Sequence, residues 1–275
     1  LLSHVKEALA AGVRQVIFGG ESFSHRPIPW KDYEEAVRLC HEAEAEILFP
    51  TPRVVREKYQ ARAQAQLRKL LTLLPDGVVL EYAGAIEWVK GEESLAVWAG
   101  PSMNIFNSEA EKEIERLGFS GCFLSQELTI PQIRHIAKGS DIPLGAYVYG
   151  RTEMMISEYC AINAVMGDKD KKHCPMYCMR GHFALKDGEG RRFPIHTDEW
   201  CHMHIANCHV LDMRPYFDEL KKAGLSALTL DVRGNEGSIF SLCKDACDIL
   251  CGRKEAPGAG RGDDVTRGHF FRGVL

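Results

Sequence analysis

The chain has 275 residues, of which 45% are hydrophobic and 26% charged, and its formal net charge is -4. This composition suits a chain that buries a large core, and it excludes the strongly basic surface of a general nucleic-acid binder, although not a local basic patch. No apolar run reaches the ~20 residues of a membrane span and no signal pattern is present, so we expect a cytoplasmic protein. Its ten cysteines favour free or metal-bound thiols, because disulfide frameworks belong to small secreted domains.

Apolar runs alternate with segments of helical periodicity along most of the chain. The predicted strands cover residues 13–18, 46–49, 78–82, 95–99, 121–124, 143–149 and 227–232. The predicted helices or crossovers cover residues 3–11, 31–45, 53–74, 84–90, 108–117, 131–138, 215–223 and 235–251. Such alternation predicts parallel strands with right-handed connections. We therefore predict an α/β fold, a (β/α)8 barrel of the TIM-barrel type whose first strand is missing.

Residues 150–213 interrupt this alternation. We predict one structural domain in three segments: residues 1–149 and 214–275 form the two parts of the barrel, and residues 150–213 form a Cys-rich insertion after a late strand. The sequence begins with Leu1 instead of Met, so we expect that it is trimmed at its N-terminus.

Four cysteines in the insertion are candidate metal ligands: Cys160, Cys174, Cys178 and Cys201. The close pair in Cys-Pro-Met-Tyr-Cys lets one turn present two sulfur atoms to a single metal centre. Four thiolates suit either an iron–sulfur cluster or structural zinc, and the spacing matches neither zinc ribbons nor ferredoxins. Inert buried thiols are the third alternative. The remaining helix and strand cysteines are expected to pack in the core; they are Cys40, Cys122, Cys243, Cys247 and Cys251.

Motifs along the chain resemble peptidase family U32. They are Ser-Gln-Glu-Leu-Thr at 125–129, Tyr-Gly-Arg at 149–151, Ser-Glu-Tyr-Cys at 157–160, Cys-Pro-Met-Tyr-Cys at 174–178, the stretch 193–207, and Arg-Gly-His-Phe-Phe-Arg-Gly-Val at 267–274. The resemblance covers nearly the whole chain and implies a barrel-like domain, which in some members is described as a collagenase-type protease. Cys208 departs from the family pattern, where Ser is common, and is a spare thiol.

Other members of this family imply a different chemistry. They resemble iron–sulfur proteins that take part in hydroxylation without molecular oxygen. Their substrates are a uridine of transfer RNA, a cytidine of ribosomal RNA or the ubiquinone ring, and prephenate is the oxygen donor. In that group four cysteines hold a 4Fe-4S cluster, and the resemblance assigns this role to the four insertion cysteines. The implied partners are RNA or a small aromatic substrate; no partner protein or oligomeric state follows from the sequence.

Polar residues that follow the predicted strands are expected at the barrel mouth. Glu127 and Asp231 are candidates for general base and acid, or for ion-pair partners. Arg180, Arg233 and Asn104 are candidates for substrate binding, because a guanidinium grips a carboxylate such as those of prephenate. The alternative is that the arginines pair with Asp231 or Glu127. Four histidines lie near these cysteines in the sequence. We expect them either to donate hydrogen bonds to the metal ligands or to lie on the surface; they are His173, His202, His204 and His209.

We therefore predict a 4Fe-4S enzyme that hydroxylates a nucleobase or an aromatic ring. A collagenase-like endopeptidase is the first alternative, and a non-catalytic RNA-binding or scaffold module with a structural metal is the second. A protease needs a nucleophile with a base, or a metal-bound water. The sequence has neither a His-Glu-x-x-His helix nor a Gly-x-Ser-x-Gly elbow.

Overall fold

A computed structural model describes residues 1–21, 23–167, 174–235, 237–258 and 264–273. His173 and Val274, which the sequence analysis singled out, lie outside these ranges. The strands are β1 (Gln15–Ile17), β2 (Glu46–Pro50), β3 (Gly77–Leu80), β4 (Ala96–Ala99), β5 (Gly121–Phe123), β6 (Leu144–Gly150), β7 (Glu153–Ser157), β8 (Phe183–Lys186), β9 (Arg192–Thr197), β10 (Met203–Ala206), β11 (Val210–Asp212), β12 (Ala227–Leu230) and β13 (Val265–Thr266). The helices are α1 (Leu2–Ala10), α2 (Trp30–Glu42), α3 (Glu57–Leu71), α4 (Ser108–Arg116), α5 (Ile130–Ala137), α6 (Ala161–Met166), α7 (Phe217–Lys222) and α8 (Phe240–Leu250).

The larger sheet is a curled, mostly parallel half-barrel. Strands β1 to β6 pair in chain order, all parallel, and β12 pairs with β6 in the same sense. These seven strands are the seven predicted from the sequence, so the α/β, TIM-barrel-like fold class is confirmed. No ladder joins β12 to β1 within the described ranges. Both strands are only half-buried, whereas β3 and β5 are buried throughout, because β1 and β12 each lack a neighbour on one side.

The sheet is apolar on both faces, as expected for parallel strands covered by helices. Its concave face is filled by Leu48, Val79, Trp98 and Phe123, which form one buried cluster. On the convex face, Ile47 and Phe49 point outward and pack with buried side chains of α2, including Tyr33 and Cys40. Alternate residues of β2 thus serve two cores, which fixes its register.

Two predicted helices begin later than the sequence suggests. Helix α3 begins at Glu57 instead of residue 53, because the backbone N–H of Arg53 donates to a Glu21 carboxylate oxygen at 3.0 Å. Helix α8 begins at Phe240 instead of residue 235. The Glu7 carboxylate on α1 accepts the backbone N–H groups of Ile239 and Phe240 at 2.7 and 2.9 Å, and so caps α8 from a distant segment.

A second sheet, antiparallel and four-stranded, lies within the predicted insertion segment 150–213. Its order is β7-β10-β9-β8. The sequence analysis did not predict these short strands. Later in the same segment β11 returns to the larger sheet, where it pairs antiparallel with β6 and parallel with β13. None of the helices in the described ranges is long and apolar enough to cross a membrane.

Candidate active site

A cavity of about 1070 Å³ opens at the carboxyl ends of the parallel strands and continues into the gap between β1 and β12. Ile17 and Thr229 line it from the two unpaired edges. Polar residues at or just after the ends of the parallel strands line it, together with Tyr147 within β6 and His196 on β9; those at the strand ends are Glu21, Thr51, Arg53, Glu81, Asp231 and Arg233. This is the face on which TIM-barrel enzymes carry their active sites.

Arg53 is the centre of a buried ion network at this mouth. Its guanidinium donates to Glu21 at 2.5 and 2.7 Å and to Glu153, the first residue of β7, at 2.5 Å. The side chain of Glu21 is 3% exposed and that of Arg53 is 16% exposed, so water screens these charges little. The network therefore joins the half-barrel to the small antiparallel sheet.

His204 extends the network toward the cysteine-bearing segment. This fully buried ring contacts Glu153 through Nδ1 at 3.0 Å and Asp198 through Nε2 at 3.1 Å. Burial by itself lowers the pKa of His204, but the hydrogen bonds to Asp198 and Glu153 outweigh it and raise the pKa to about 9. Asp198 also accepts hydrogen bonds from His202, whose Nδ1 lies 3.0 Å away. His204 is therefore a charged group between two carboxylates near neutral pH.

Glu81 is a second buried carboxyl group in the cavity wall. It accepts hydrogen bonds from the Ser102 hydroxyl and from the Ser102 backbone N–H, the latter at 3.2 Å. Burial raises the pKa of Glu81, and the Ser102 hydroxyl and Arg53 oppose this shift. A Cβ on Gly100 would lie 2.5 Å from this carboxyl group, so only glycine leaves room for it. Glu81 is thus positioned to hold a proton inside the cavity.

Arg233 and Phe23 form an aromatic and cationic wall. The Arg233 guanidinium donates to both oxygens of Asp231, at 2.7 and 3.0 Å, and lies 4.8 Å from the Phe23 ring centre. The Phe23 ring also stacks on His196, with ring centres 4.6 Å apart and planes 7° apart. The predicted alternative, in which Arg233 pairs with Asp231, is therefore the arrangement observed. Both residues line the cavity.

The structure brings the four candidate ligand cysteines into one region beside the mouth. Burial raises the pKa of the Cys201 thiol, and the negative charges of Cys178, Cys174 and Cys160 raise it further. Cys178 Sγ lies 3.1 Å from Nε2 of His25, on the loop that follows β1. Cys201 has a left-handed backbone, with φ of 63°, in the turn closed by its N–H to the Asp198 carbonyl. Such a strained non-glycine residue is typical of a functional site.

The other predicted site residues lie apart from the cavity. Glu127 is exposed and lines neither of the cavities described for this chain. Asn104 is exposed with φ of 49°, at the end of a short 3-10 helix, where asparagine tolerates the left-handed backbone. Arg180 is exposed over the Tyr177 ring at 5.6 Å and does not pair with Glu127 or Asp231 in the described structure. Their predicted roles stay predictions.

Histidine and cysteine placement differs in part from expectation. His202 and His204 are buried, so the surface alternative is wrong for both. Cys40, Cys122 and Cys243 are buried as predicted, but Cys251 is exposed, because α8 ends before it. Arg53 and Glu153 were not predicted as site residues from the sequence. The signal for Arg53 was its position shortly after the predicted strand 46–49; Glu153 gave none, because its strand was not predicted.

The fold and the cavity define a TIM-barrel-like α/β protein with a polar site at the carboxyl ends of its strands. The chain belongs to peptidase family U32, whose sequence model matches residues 2–245. The resemblance inferred from the motifs is thereby confirmed.

A curated relative is 23S rRNA 5-hydroxycytidine C2501 synthase of Escherichia coli (strain K12). It is 25% identical over 191 residues, which make up 68% of this chain and 29% of that protein. The chain thus spans less than a third of the relative's length.

Two solved structures are also similar. Thiamine phosphate pyrophosphorylase from Pyrococcus furiosus matches with a TM-score of 0.51 and 12% identity, covering 91% of this chain and 89% of that one, a likeness of fold alone. The U32 peptidase Mk0906 matches with a TM-score of 0.43 and 16% identity, covering 52% of this chain and 63% of that one.

Proposed function

We propose that this chain is the four-cysteine catalytic part of an iron–sulfur enzyme that hydroxylates a nucleobase of RNA without molecular oxygen. One observation carries the proposal: Cys160, Cys174, Cys178 and Cys201 come together beside the polar cavity, so that the charges of three of them raise the pKa of the fourth. The RNA substrate is inferred from the family relative, which is named for a hydroxylated cytidine of ribosomal RNA.

The donor set fits a metal centre. Four partly exposed thiolates in one region repel one another, and a cation that binds all four removes this repulsion. An all-sulfur set of four suits a 4Fe-4S cluster, with structural zinc as the alternative. The four cysteines would hold the cluster, which supplies one-electron redox chemistry when bound. Thr197 hydrogen-bonds Cys178 and so favours its thiolate form, although burial raises the pKa of that thiol.

The cavity residues bind and orient the reactants. Arg233 binds Asp231 through Nε and Nη2, and its remaining nitrogen, Nη1, is offered to a carboxylate of an oxygen donor such as prephenate, which the family resemblance implies. The Phe23 and His196 rings offer flat surfaces for a base or an aromatic ring. Glu81, whose pKa burial raises, can hold and return a proton at its carboxyl oxygen.

The geometry does not favour peptide hydrolysis. Glu21, Glu153 and His204 have ligand atoms within 4.8 Å of one another and resemble a metal site, but the Arg53 guanidinium already occupies the space between the two carboxylates. A metal ion there would have to displace a buried arginine. The Ser102 hydroxyl donates to Glu81 and to no histidine in the described ranges, so it lacks the base that a serine nucleophile needs.

Anaerobic purification tests the cluster. We expect a brown protein with about four irons and four sulfides per chain, measured together with zinc on the same sample. A colourless protein that holds a single zinc ion contradicts the hydroxylase and leaves a structural metal site.

Whether RNA is the substrate is tested in cells that express the intact protein. Nucleosides from total RNA should contain a pyrimidine with one added oxygen atom, detected by mass spectrometry, and this nucleoside should disappear with Cys174→Ser. Cys208→Ser is the matched control, because Cys208 is a free thiol outside the ligand set. RNA that is unchanged in cells with a loaded cluster contradicts the nucleobase substrate.

A further inference from the structure

A second cavity, of about 690 Å³, lies between the small sheet and the edge of the half-barrel. One wall is the face of the β8–β9 hairpin that carries Lys186, Arg192 and His196, and the other includes Arg151 and the segment 231–235. It shares Phe23, His196 and Arg233 with the mouth cavity. We call this second cavity the hairpin cleft.

The hairpin cleft is strongly basic although the chain is acidic overall. Among the described residues that line it are the cations Arg151, Lys186, Arg192 and Arg233 and one carboxylate, Asp231, which is bound by Arg233. The total of -4 for the chain thus hides a local positive surface. Within the described parts of the chain, no carboxylate pairs with Lys186, Arg192 or Arg151. Three cations therefore face the cleft without a counter-charge from any residue that the structure describes.

The strand register adds an independent observation. Lys186 and Arg192 are directly opposed across β8 and β9, and both are exposed. Like charges in opposed positions destabilise a strand pair, so this pairing is costly unless an anion lies between them. The adjacent Arg191 points to the other face, where Asp187 and Glu189 neutralise it at 2.6 and 3.0 Å. The hairpin therefore neutralises the arginine outside the cleft and leaves the pair inside it unneutralised.

We propose that the hairpin cleft binds the phosphate backbone of the RNA strand next to the target nucleotide. The inference rests on the proposed action on RNA and names the surface that holds this substrate. Lys186 and Arg192 contact phosphates, and Arg151, held in place by the carbonyl groups of Asn207 and Cys208, contributes a third cation. The target base leaves the strand at the stack of Phe23, His196 and Arg233 and enters the mouth cavity, since these residues border both cavities.

The test is binding of a fluorescein-labelled single-stranded RNA to the cluster-loaded protein, measured by anisotropy over a series of salt concentrations. We expect the double variant Lys186→Gln with Arg192→Gln to bind roughly tenfold or more weakly, with a slope of log affinity against log salt smaller by about 1.4, because each lost phosphate contact removes about 0.7. Arg191→Gln is the control: it removes one positive charge from the same hairpin on its other face, and affinity should not change, whereas Arg192→Gln alone should lower the slope by about 0.7.

A single variant separates binding from folding. Lys186→Glu places an ion pair opposite Arg192, so we expect the hairpin to become more stable while RNA binding weakens. A loss of binding that is matched by a loss of thermal stability overturns the inference. Polyglutamate that competes as well as RNA, with the same dependence on Arg192, also overturns it and identifies an acidic protein segment as the occupant.

The two proposals fail in different ways. RNA that is hydroxylated normally by the double variant overturns the cleft but not the proposed function. RNA that binds through Lys186 and Arg192 but is never modified supports the cleft and overturns the hydroxylation. RNA that does not bind to the loaded protein overturns both.

Discussion

The Arg53 guanidinium reaches Glu153 at 2.5 Å across 100 residues of sequence, and this contact joins the half-barrel to the small sheet. The same guanidinium nitrogen binds Glu21, and Glu153 passes the contact on to His204. The relative position of the mouth cavity and the cysteine-bearing segment therefore depends on a few buried charges. Such networks are sensitive to the loss of one partner, because the remaining charges stay buried.

Removal of Arg53 tests this dependence. Arg53→Gln leaves Glu21 and Glu153 buried without their cation, and we expect the free energy of unfolding to fall by about 3–5 kcal/mol in urea titrations. Arg38→Gln on α2 is the control, since its pairs with Glu35 and Glu42 are solvent-exposed and contribute little. Equal effects of the two variants would show that the network is not important for stability.

The raised pKa of His204 predicts a pH dependence. A histidine with a folded-state pKa of about 9 against 6.5 when unfolded stabilises the fold fully below pH 6.5, and this contribution is lost as the pH rises through 9. The loss is on the order of 3 kcal/mol. Urea midpoints from pH 6 to 10 measure it, and the slope over this window should be shallower in His204→Gln. A wild-type profile as flat as that of the variant would show that His204 is neutral in the folded protein.

Loss of one ligand cysteine should weaken metal binding. We expect Cys201→Ser to lower the iron content clearly below about four per chain, because a weaker oxygen ligand replaces one of the four thiolates and makes the cluster labile. Cys251→Ser, an exposed thiol at the end of α8, should keep its iron. Equal iron in both variants would remove Cys201 from the ligand set.

Metal removal should act locally. Chelation is expected to speed hydrogen exchange in residues 153–167 and 174–206, which carry the four cysteines, while β2 to β5 keep their protection, because those strands are held by the apolar core. Exchange that rises equally in both sheets would mean that the metal supports the whole fold.

Arg233 should act on the oxygen donor more than on stability. Arg233→Lys keeps the charge, but an ammonium lacks the planar set of donors with which a guanidinium can bind Asp231 and a donor carboxylate together, so we expect the KM for a dicarboxylate donor to rise about tenfold. Its side chain is 35% exposed, and the melting temperature should change little. An unchanged KM would place the donor elsewhere in the cavity.

The sequence alone determined the seven parallel strands, most of the helices and the family. Apolar runs such as Val78 to Leu80 are buried throughout. A parallel strand that is covered on both faces needs apolar residues at every position, so a continuous apolar run in the sequence is enough to predict it. The four cysteines were equally readable as a set from their spacing and their motifs.

Only the tertiary structure decided how the sites are assembled. The bridge from Arg53 to Glu153, the burial of His204 and the opposition of Lys186 and Arg192 depend on which distant segments meet and in which register. Strands β7 and β8 of the small sheet are largely exposed, and β10, although buried, has only four residues and includes His204, so these strands lack the long apolar runs of the half-barrel. The local pattern of apolar residues predicts which side of a segment is buried. The partners of a charged side chain depend on the tertiary fold and on the register of the strands, which the local pattern does not specify.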